Sequence, residues 1–129
     1  MTEPACRFCR GNGLLDDSPV HETGHFYTLM SRDPELPRAA MVIPKRHSPT
    51  PFEMTAEEWA DLPAALAATR DLLGRHAPAG FTLGWNVGAV AGQTVNHTHL
   101  HVIARFGDEP LAGKGLRHAF KIAAGVNSA

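Results

Sequence analysis

The chain has 129 residues, of which 43% are hydrophobic, and this suffices for one domain with a buried core. Twelve basic and thirteen acidic residues nearly cancel, which excludes a strongly basic nucleic-acid-binding surface and a polybasic membrane anchor. No apolar run approaches the length of a membrane span, and the first residues lack the basic and apolar regions of a signal peptide. We therefore predict a single cytoplasmic domain over residues 1–129 whose partner is a small molecule, with no nucleic acid and no membrane.

The two cysteines of the chain, Cys6 and Cys9, lie near its start and are followed by two glycines that indicate a turn. In a reducing compartment such a pair is more typical of a metal or redox site than of a structural disulfide. A thioredoxin-like redox site would need a preceding strand, which the sequence lacks. Tetrahedral zinc needs four ligands, so this pair requires two more from elsewhere, and histidine is the residue type in best supply.

The next part of the chain predicts three strands. Two short ones, residues 20–22 and 26–30, are joined by a turn that contains Gly24. Residues 32–37 carry two prolines and no periodicity, so we expect a loop that leads into a buried apolar strand at 39–43, which Pro44 ends. His47 follows directly, and a histidine at the end of a strand belongs more often to a site than to a core.

A helix is predicted to begin after Thr55, because Thr55 and Glu58 form a capping box. It runs to about Arg75, and Pro63 inside it predicts a kink or a restart. One apolar stripe recurs at helical spacing and indicates core packing: Trp59, Leu62, Leu66, Thr69 and Leu73.

Residues 81–85 alternate between large apolar and small or polar side chains, which predicts a half-buried strand. The glycine-rich loop that follows, residues 87–94, exposes backbone N–H groups and suits a phosphate cradle, although a plain hairpin loop has the same composition. The final segment contains Gly113-Lys114-Gly115, which lacks the spacing of a P-loop, and residues after about Gly125 are expected to fray.

The most informative stretch is residues 96–103, in which His97, His99 and His101 alternate with Thr98 and Leu100. Read as a β-strand, this pattern places three imidazoles in one row on one face of a sheet. Burying them all in a core would require a partner for each polar nitrogen, which one strand rarely supplies. The row therefore favours a functional site.

This stretch resembles the defining motif of the histidine triad (HIT) family, with three alternating histidines among mostly apolar residues. Two further segments are similar to that family in the same order: residues 41–47 resemble its strand-and-PK-x-H segment, and residues 86–95 resemble its loop before the triad. The resemblance implies an α+β fold of the HIT type, an antiparallel sheet of about five strands with one main helix. It also implies a homodimer through the helix and an edge strand.

The activity that the resemblance implies is hydrolysis or transfer of nucleoside monophosphates from a phosphoramidate or a dinucleoside polyphosphate. His99 would attack the α-phosphorus and form a covalent nucleotidyl-histidine, the carbonyl of His97 would fix its tautomer, and His101 would bind phosphate oxygens. The implied substrate-binding residues are Asn86, Gly92, Gln93, Thr94 and Ser31.

One branch of the family holds a structural zinc through the CxxC pair, the PK-x-H histidine and the first triad histidine. These map onto Cys6, Cys9, His47 and His97, a Cys2His2 set. The chain departs from the family at Ala39, where a histidine is common, and at Ser31, where many members carry Asp or Asn for the ribose.

Two other functions compete with this interpretation. The histidine row could bind a catalytic metal, as in a metal-dependent hydrolase, or the chain could bind nucleotides with little turnover. We also expect the basic residues after the triad to receive the leaving group, unless they form a solvated surface only. These residues are Arg105, Lys114, Arg117 and Lys121.

Overall fold

The computed structural model describes residues 3–125 and contains one antiparallel sheet of five strands with one main helix, which confirms the predicted α+β fold. The strands lie side by side in the order β1-β2-β3-β5-β4, so β1 and β4 form the edges. They are β1 His21–Glu22, β2 Phe26–Met30, β3 Ala39–Pro44, β4 Gly80–Trp85 and β5 Leu100–Arg105. The prediction of frayed residues after Gly125 falls outside the described part of the chain.

The main helix, α1, spans Ala56–Leu73 and begins with the predicted capping box. The hydroxyl of Thr55 accepts a hydrogen bond from the Glu58 N–H at 3.1 Å, and the Glu58 carboxylate accepts one from the Thr55 N–H at 2.8 Å. The predicted restart at Pro63 does not occur, since the helix continues through it. Pro63 is exposed, so the carbonyl that it leaves unpaired can reach water.

The helix packs on one face of the sheet, against apolar side chains that include Phe26, Val42, Leu100 and Val102. Its buried side is formed by Leu62, Ala65, Thr69 and Leu73 together with Glu58. Trp59, which the predicted stripe includes, is instead 45% exposed and packs edge-on against Trp85.

The opposite face of the sheet carries a second apolar cluster, formed with the N-terminal residues. Burial alternates along β5, so that Leu100, Val102 and Ala104 face the helix while His101, Ile103 and Arg105 face the other way. We call this second side of the sheet the open face. A second helix, α2, spans His118–Ala123 near the end of the described chain.

The strand that carries the histidine row is shorter than predicted. It begins at Leu100, so His97 and His99 precede it and only His101 lies within it. Hydrogen bonds to Ser48 hold the segment before β5 in place. The Thr98 N–H donates to the Ser48 carbonyl at 2.7 Å, and the hydroxyl oxygens of Thr98 and Ser48 lie 3.0 Å apart. The segment is thus tied to the loop after β3 instead of to a neighbouring strand.

None of the helices within residues 3–125 is long and apolar enough to cross a membrane.

Candidate functional site

A backbone hydrogen bond orients the imidazole of His99. Its Nδ1 lies 2.8 Å from the carbonyl oxygen of His97, and a carbonyl can only accept, so Nδ1 carries the proton. The lone pair therefore resides on Nε2. Burial lowers the pKa of His99 below its ordinary value, and the nearby charge of Arg7 acts in the same direction. A neutral imidazole with a free Nε2 is the form that can act as a nucleophile.

Two rings flank His99. His101 lies on one side, with ring centroids 5.1 Å apart, and Phe8 from the N-terminal segment lies edge-on at 5.2 Å. Burial, followed by the proximity of His99, lowers the pKa of His101. His101 is only half-buried, so it can reach a ligand bound at His99.

Four potential metal ligands come together next to His99. One ligand atom from each lies within 4.8 Å of all the others, and the residues are Cys6, Cys9, His47 and His97. His97 Nε2 donates to the Pro44 carbonyl at 2.7 Å, which leaves its Nδ1 unprotonated and directed at the sulfurs. Burial lowers the pKa of His97 to about 4, so its ring is neutral at pH 7. The four residues lie close enough to hold a metal ion.

The N-terminal knuckle, which we define as residues 3–13, brings the cysteines to the sheet. The buried Tyr27 hydroxyl donates to the Phe8 carbonyl at 2.5 Å, and the Asn12 amide donates to the Cys6 carbonyl at 2.8 Å. The sequence analysis assigned no role to Phe8, Tyr27 or Ser48. The position of Phe8 between the two cysteines could have predicted its place, because cysteines bound near the triad bring Phe8 close to the same histidines.

The glycine-rich loop lies beside His99 as well. Trp85 pairs with Leu100, so Asn86, one residue beyond the strand, lies level with His99. Gly88 and Gly92 have φ of 87° and 94°. Residues that carry a side chain rarely adopt such values, which explains why glycine occupies these turns. Thr94 is exposed in the same loop.

Gln93 braces this loop with both ends of its amide. Its oxygen accepts from the Gly88 N–H at 2.8 Å, and its nitrogen donates to the carbonyls of Pro49 at 2.6 Å and Val95 at 3.1 Å. These bonds join the loop to the segment after β3. Gln93 therefore shapes the loop from within.

Ser31 lies directly after β2, in a turn, where its hydroxyl accepts from the Asp33 N–H at 3.2 Å. Its own N–H donates to the Ala39 carbonyl at 2.9 Å, and Ala39 pairs with Ile103 on β5. Ser31 and Ala39 thus lie at the sheet end away from His97. Both belong to a region separate from the glycine-rich loop.

Among the basic residues after the triad, Arg105 bonds to neighbouring parts of the chain. The guanidinium of Arg105 donates to the Glu109 carboxylate, to the Thr82 hydroxyl at 2.9 Å and to the carbonyls of Leu111 and Lys114 at 2.8 Å. Arg105 therefore fastens the C-terminal segment to β4. Arg105 thus bonds to the protein itself and not to a leaving group, while the leaving-group role expected of Lys114, Arg117 and Lys121 stays a prediction.

The fold and the site together define an α+β protein with a row of histidines on the open face of one antiparallel sheet. The HIT domain family model matches residues 13–108, most of the chain. The chain belongs to the HIT family, as its triad motif predicted.

Relatives and solved structures agree with this family. The chain is 35% identical over 97 residues to a bis(5'-adenosyl)-triphosphatase of Dictyostelium discoideum, which covers 74% of this chain and 65% of that protein. It is 28% identical over 112 residues to an adenosine 5'-monophosphoramidase of Schizosaccharomyces pombe, covering 86% of this chain and 82% of that one. The crystal structure of a HIT family protein from Bacillus anthracis superimposes with a TM-score of 0.72 at 27% identity, covering 96% of each chain.

Proposed function

We propose that this protein is a nucleotidyl hydrolase or transferase that releases a nucleoside monophosphate from a phosphoramidate or a dinucleoside polyphosphate. The observation that carries the proposal is the bond from His99 Nδ1 to the His97 carbonyl, because it leaves Nε2 free to attack. The two relatives named for a triphosphatase and a phosphoramidase support this substrate class.

In the first step, the Nε2 lone pair of His99 forms a bond to the α-phosphorus. The bond from the phosphorus to the leaving group breaks, and the leaving group departs with the electron pair of that bond; a phosphate departs as its anion, and an amine takes up a proton from solvent. In the second step, water attacks the phosphorus and gives a proton to solvent, and the bond from the phosphorus to Nε2 breaks with its electron pair returning to His99. Splitting one displacement into two lowers the barrier of each.

The neighbouring groups would stabilise the charge that develops on the phosphoryl oxygens. His101 flanks His99 at 5.1 Å between ring centroids, and Asn86 lies level with it at the end of β4. Thr94 offers a hydroxyl from the glycine-rich loop, and Gly92, whose N–H donates to the Ala89 carbonyl at 3.0 Å, has no side chain and so lets a phosphate approach the loop closely. Ser31 lies in a region separate from this loop, so the ribose role predicted for it is not part of this proposal. Donors fixed in advance are effective because they need not reorganise during the reaction.

The test is to trap the covalent intermediate. We expect the intact protein, quenched during turnover of an adenosine phosphoramidate, to gain the mass of one adenylyl group. His99→Ala should show no adduct and lose activity by on the order of a thousandfold or more. His76→Ala, an exposed histidine outside the site, should behave like the unchanged protein.

Each competing function predicts a different result. A nucleotide-binding protein would bind the product monophosphate but give neither adduct nor turnover. A metal-dependent hydrolase would need a metal held by His99 and His101. Among the described residues, however, the one group of His, Cys, Asp or Glu side chains spaced to hold a metal is Cys6, Cys9, His47 and His97.

We further propose that these four residues hold a structural zinc ion. Bonds of about 2.0 Å to nitrogen and 2.3 Å to sulfur in a tetrahedron separate the ligand atoms by about 3.3 to 3.8 Å. The separations in the structure are 3.2 Å between the two Nδ1 atoms and 3.3, 3.5 and 3.6 Å between nitrogen and sulfur. Both cysteines are free thiols, and a reducing compartment keeps thiols in that form, which supports a cytoplasmic location.

We also propose that the protein forms a homodimer through β4 and α1. β4 is an edge strand, and its Leu83 side chain is 41% exposed. A cavity of about 320 Å³ lies between this strand and the helix and has a mainly apolar lining. Covering an unpaired apolar edge with the same edge of a second copy removes both from water.

A further inference from the structure

Arg7 lies next to the proposed nucleophile although it comes from the start of the chain. It is the residue after the first cysteine of the knuckle, and its side chain is exposed. The guanidinium carbon lies 5.0 Å from the centroid of the Phe8 ring, in a cation–π contact. Phe8 in turn lies 5.2 Å from the ring of His99. The guanidinium and the His99 imidazole therefore both contact the same phenyl ring.

The donors of Arg7 are available to a ligand. Within residues 3–125, Arg7 makes no hydrogen bond or ion pair, and its contact with Phe8 is a cation–π contact that uses no hydrogen-bond donor. Arg10, at the other end of the same knuckle, is instead paired with Glu22 at 2.7 Å. Arg46 is likewise paired with Glu58 at 2.9 Å.

A cavity of about 330 Å³ lies beside Arg7 and joins the knuckle to the glycine-rich loop. Thr94, Val95 and Asn96 line it from the loop side, and Glu3 and Arg7 line it from the knuckle. Glu3 is the one acidic side chain in this lining, and it forms no ion pair with Arg7. The cavity thus brings an arginine close to Thr94, which the proposed function places at the phosphate.

We propose that Arg7 binds the phosphates of the leaving group and thereby favours dinucleoside polyphosphates over phosphoramidates with a neutral amine. This inference rests on the proposed function. Phe8 and His101 both contact the His99 ring, and Arg7 contacts Phe8, so a leaving group that extends from His99 past Phe8 would meet the guanidinium.

The chemistry of the guanidinium fits this role. Its planar fork matches two phosphate oxygens at once, and its charge persists at every working pH. A pyrophosphate or nucleotide leaving group gains negative charge as its bond to the α-phosphorus breaks, so Arg7 would bind the transition state more tightly than the ground state. A neutral amine has no phosphate for Arg7 to bind.

The experiment compares two substrates in parallel, diadenosine triphosphate and an adenosine phosphoramidate with an uncharged amine. We expect Arg7→Ala to lower kcat/KM on the triphosphate by about tenfold or more, the worth of one charge-assisted hydrogen-bond pair, and on the phosphoramidate by less than about twofold. Arg7→Lys should recover part of the loss, because it restores the charge but not the fork.

Two controls keep the result specific. Arg75→Ala removes an exposed arginine outside the site and should leave both rates unchanged, and the metal content and thermal midpoint of each variant show whether the knuckle is intact. Equal losses on both substrates, or no loss on either, would overturn the role of Arg7. An unchanged protein that turns over neither substrate would overturn the proposed function itself.

Discussion

His97 joins the two centres of this protein through three different groups. Its carbonyl orients His99, its Nε2 donates to Pro44, and its Nδ1 lies 3.2 Å from that of His47 in the Cys2His2 group. A substitution at His97 would remove the two ring nitrogens but keep the backbone carbonyl that orients His99. It would therefore act directly on the Cys2His2 group, and on His99 only if the backbone moves.

A second residue with a structural task is Glu58, which is almost fully buried at the start of α1. It accepts hydrogen bonds from Arg46 at 2.9 Å and from the Thr55 N–H at 2.8 Å. Burial alone raises the pKa of Glu58, but these hydrogen bonds outweigh it, and the pKa lies below its usual value. Because Arg46 directly precedes His47, the ion pair between Arg46 and Glu58 also holds the loop that carries His47, one of the four Cys2His2 residues.

We predict that Glu58→Gln lowers the free energy of unfolding at pH 7 by about 1 to 3 kcal/mol, since a charged hydrogen-bond acceptor is lost. A carboxylate with a depressed folded-state pKa stabilises the fold above its unfolded pKa, about 4.3, and this stabilisation is lost as the pH falls through the folded-state value. The difference between the variant and the unchanged protein should thus shrink towards pH 3. Urea unfolding at the two pH values measures it.

The matched control is Glu57→Gln, an exposed neighbour on the same helix. Protonation of the other groups at low pH affects all of these proteins equally, so the difference between them isolates Glu58. A loss for Glu58→Gln that stays the same at pH 7 and pH 3 would contradict the assigned role of its charge.

At the scale of elements, the knuckle contains little regular structure, a single short 3-10 turn at Arg10–Asn12. Phe8 and the two cysteines are nevertheless buried against the open face, with Phe8 only 1% exposed. A segment with so few backbone bonds of its own needs other cross-links to stay folded. The Cys2His2 group would supply them by tying the knuckle to the loop after β3 and to the triad segment.

We predict one zinc per chain and its loss in the double variant Cys6→Ser, Cys9→Ser. The loss should lower the thermal midpoint by about 10 °C, the effect of 2 to 3 kcal/mol in a domain of this size. Elemental analysis and thermal unfolding with and without a chelator measure this. Some His99 chemistry should persist, because the His97 carbonyl that orients His99 is a backbone group.

Ser18→Ala, an exposed change outside the knuckle, serves as the control and should retain the metal. Full zinc content in the cysteine double variant would show that the metal binds elsewhere.

For the molecule as a whole, the sheet leaves one long strand edge unpaired. β1 has only two residues, whereas β4 has six and carries exposed Leu83 beside the apolar cavity on α1. Long apolar edges associate unless they are covered or charged. The shape of the sheet thus makes β4 the surface for the proposed dimer.

We predict a dimer at micromolar concentration by light scattering, and a monomer for Leu83→Lys, because burying an unpaired charge in an apolar interface is costly. Leu14→Lys changes a residue of similar exposure in the N-terminal part of the chain and should stay dimeric. A monomeric unchanged protein, or a Leu83→Lys dimer of undiminished stability, would contradict this interface.

Local patterns in the sequence determined most of the fold. The capping box at Thr55, the alternation along residues 100–105 and the apolar run ended by Pro44 depend on neighbours within a few residues, so they can be read directly. The CxxC pair and the triad motif likewise revealed the family. The extent of the triad strand and the continuity of α1 past Pro63 could not be read this way, because both depend on which distant backbone groups offer partners.

Tertiary structure alone decided which distant residues meet. It places Phe8 against His99, ties Thr98 to Ser48 and commits Arg105 to Glu109 and Thr82, none of which leaves a periodic trace in the sequence. It likewise leaves Arg7 without an ion pair in the described chain while pairing Arg10. The physical reason is that the partners of a side chain depend on where the sheet, the knuckle and the loops come together in space. The separation of two residues along the sequence does not encode the distance between them in the fold.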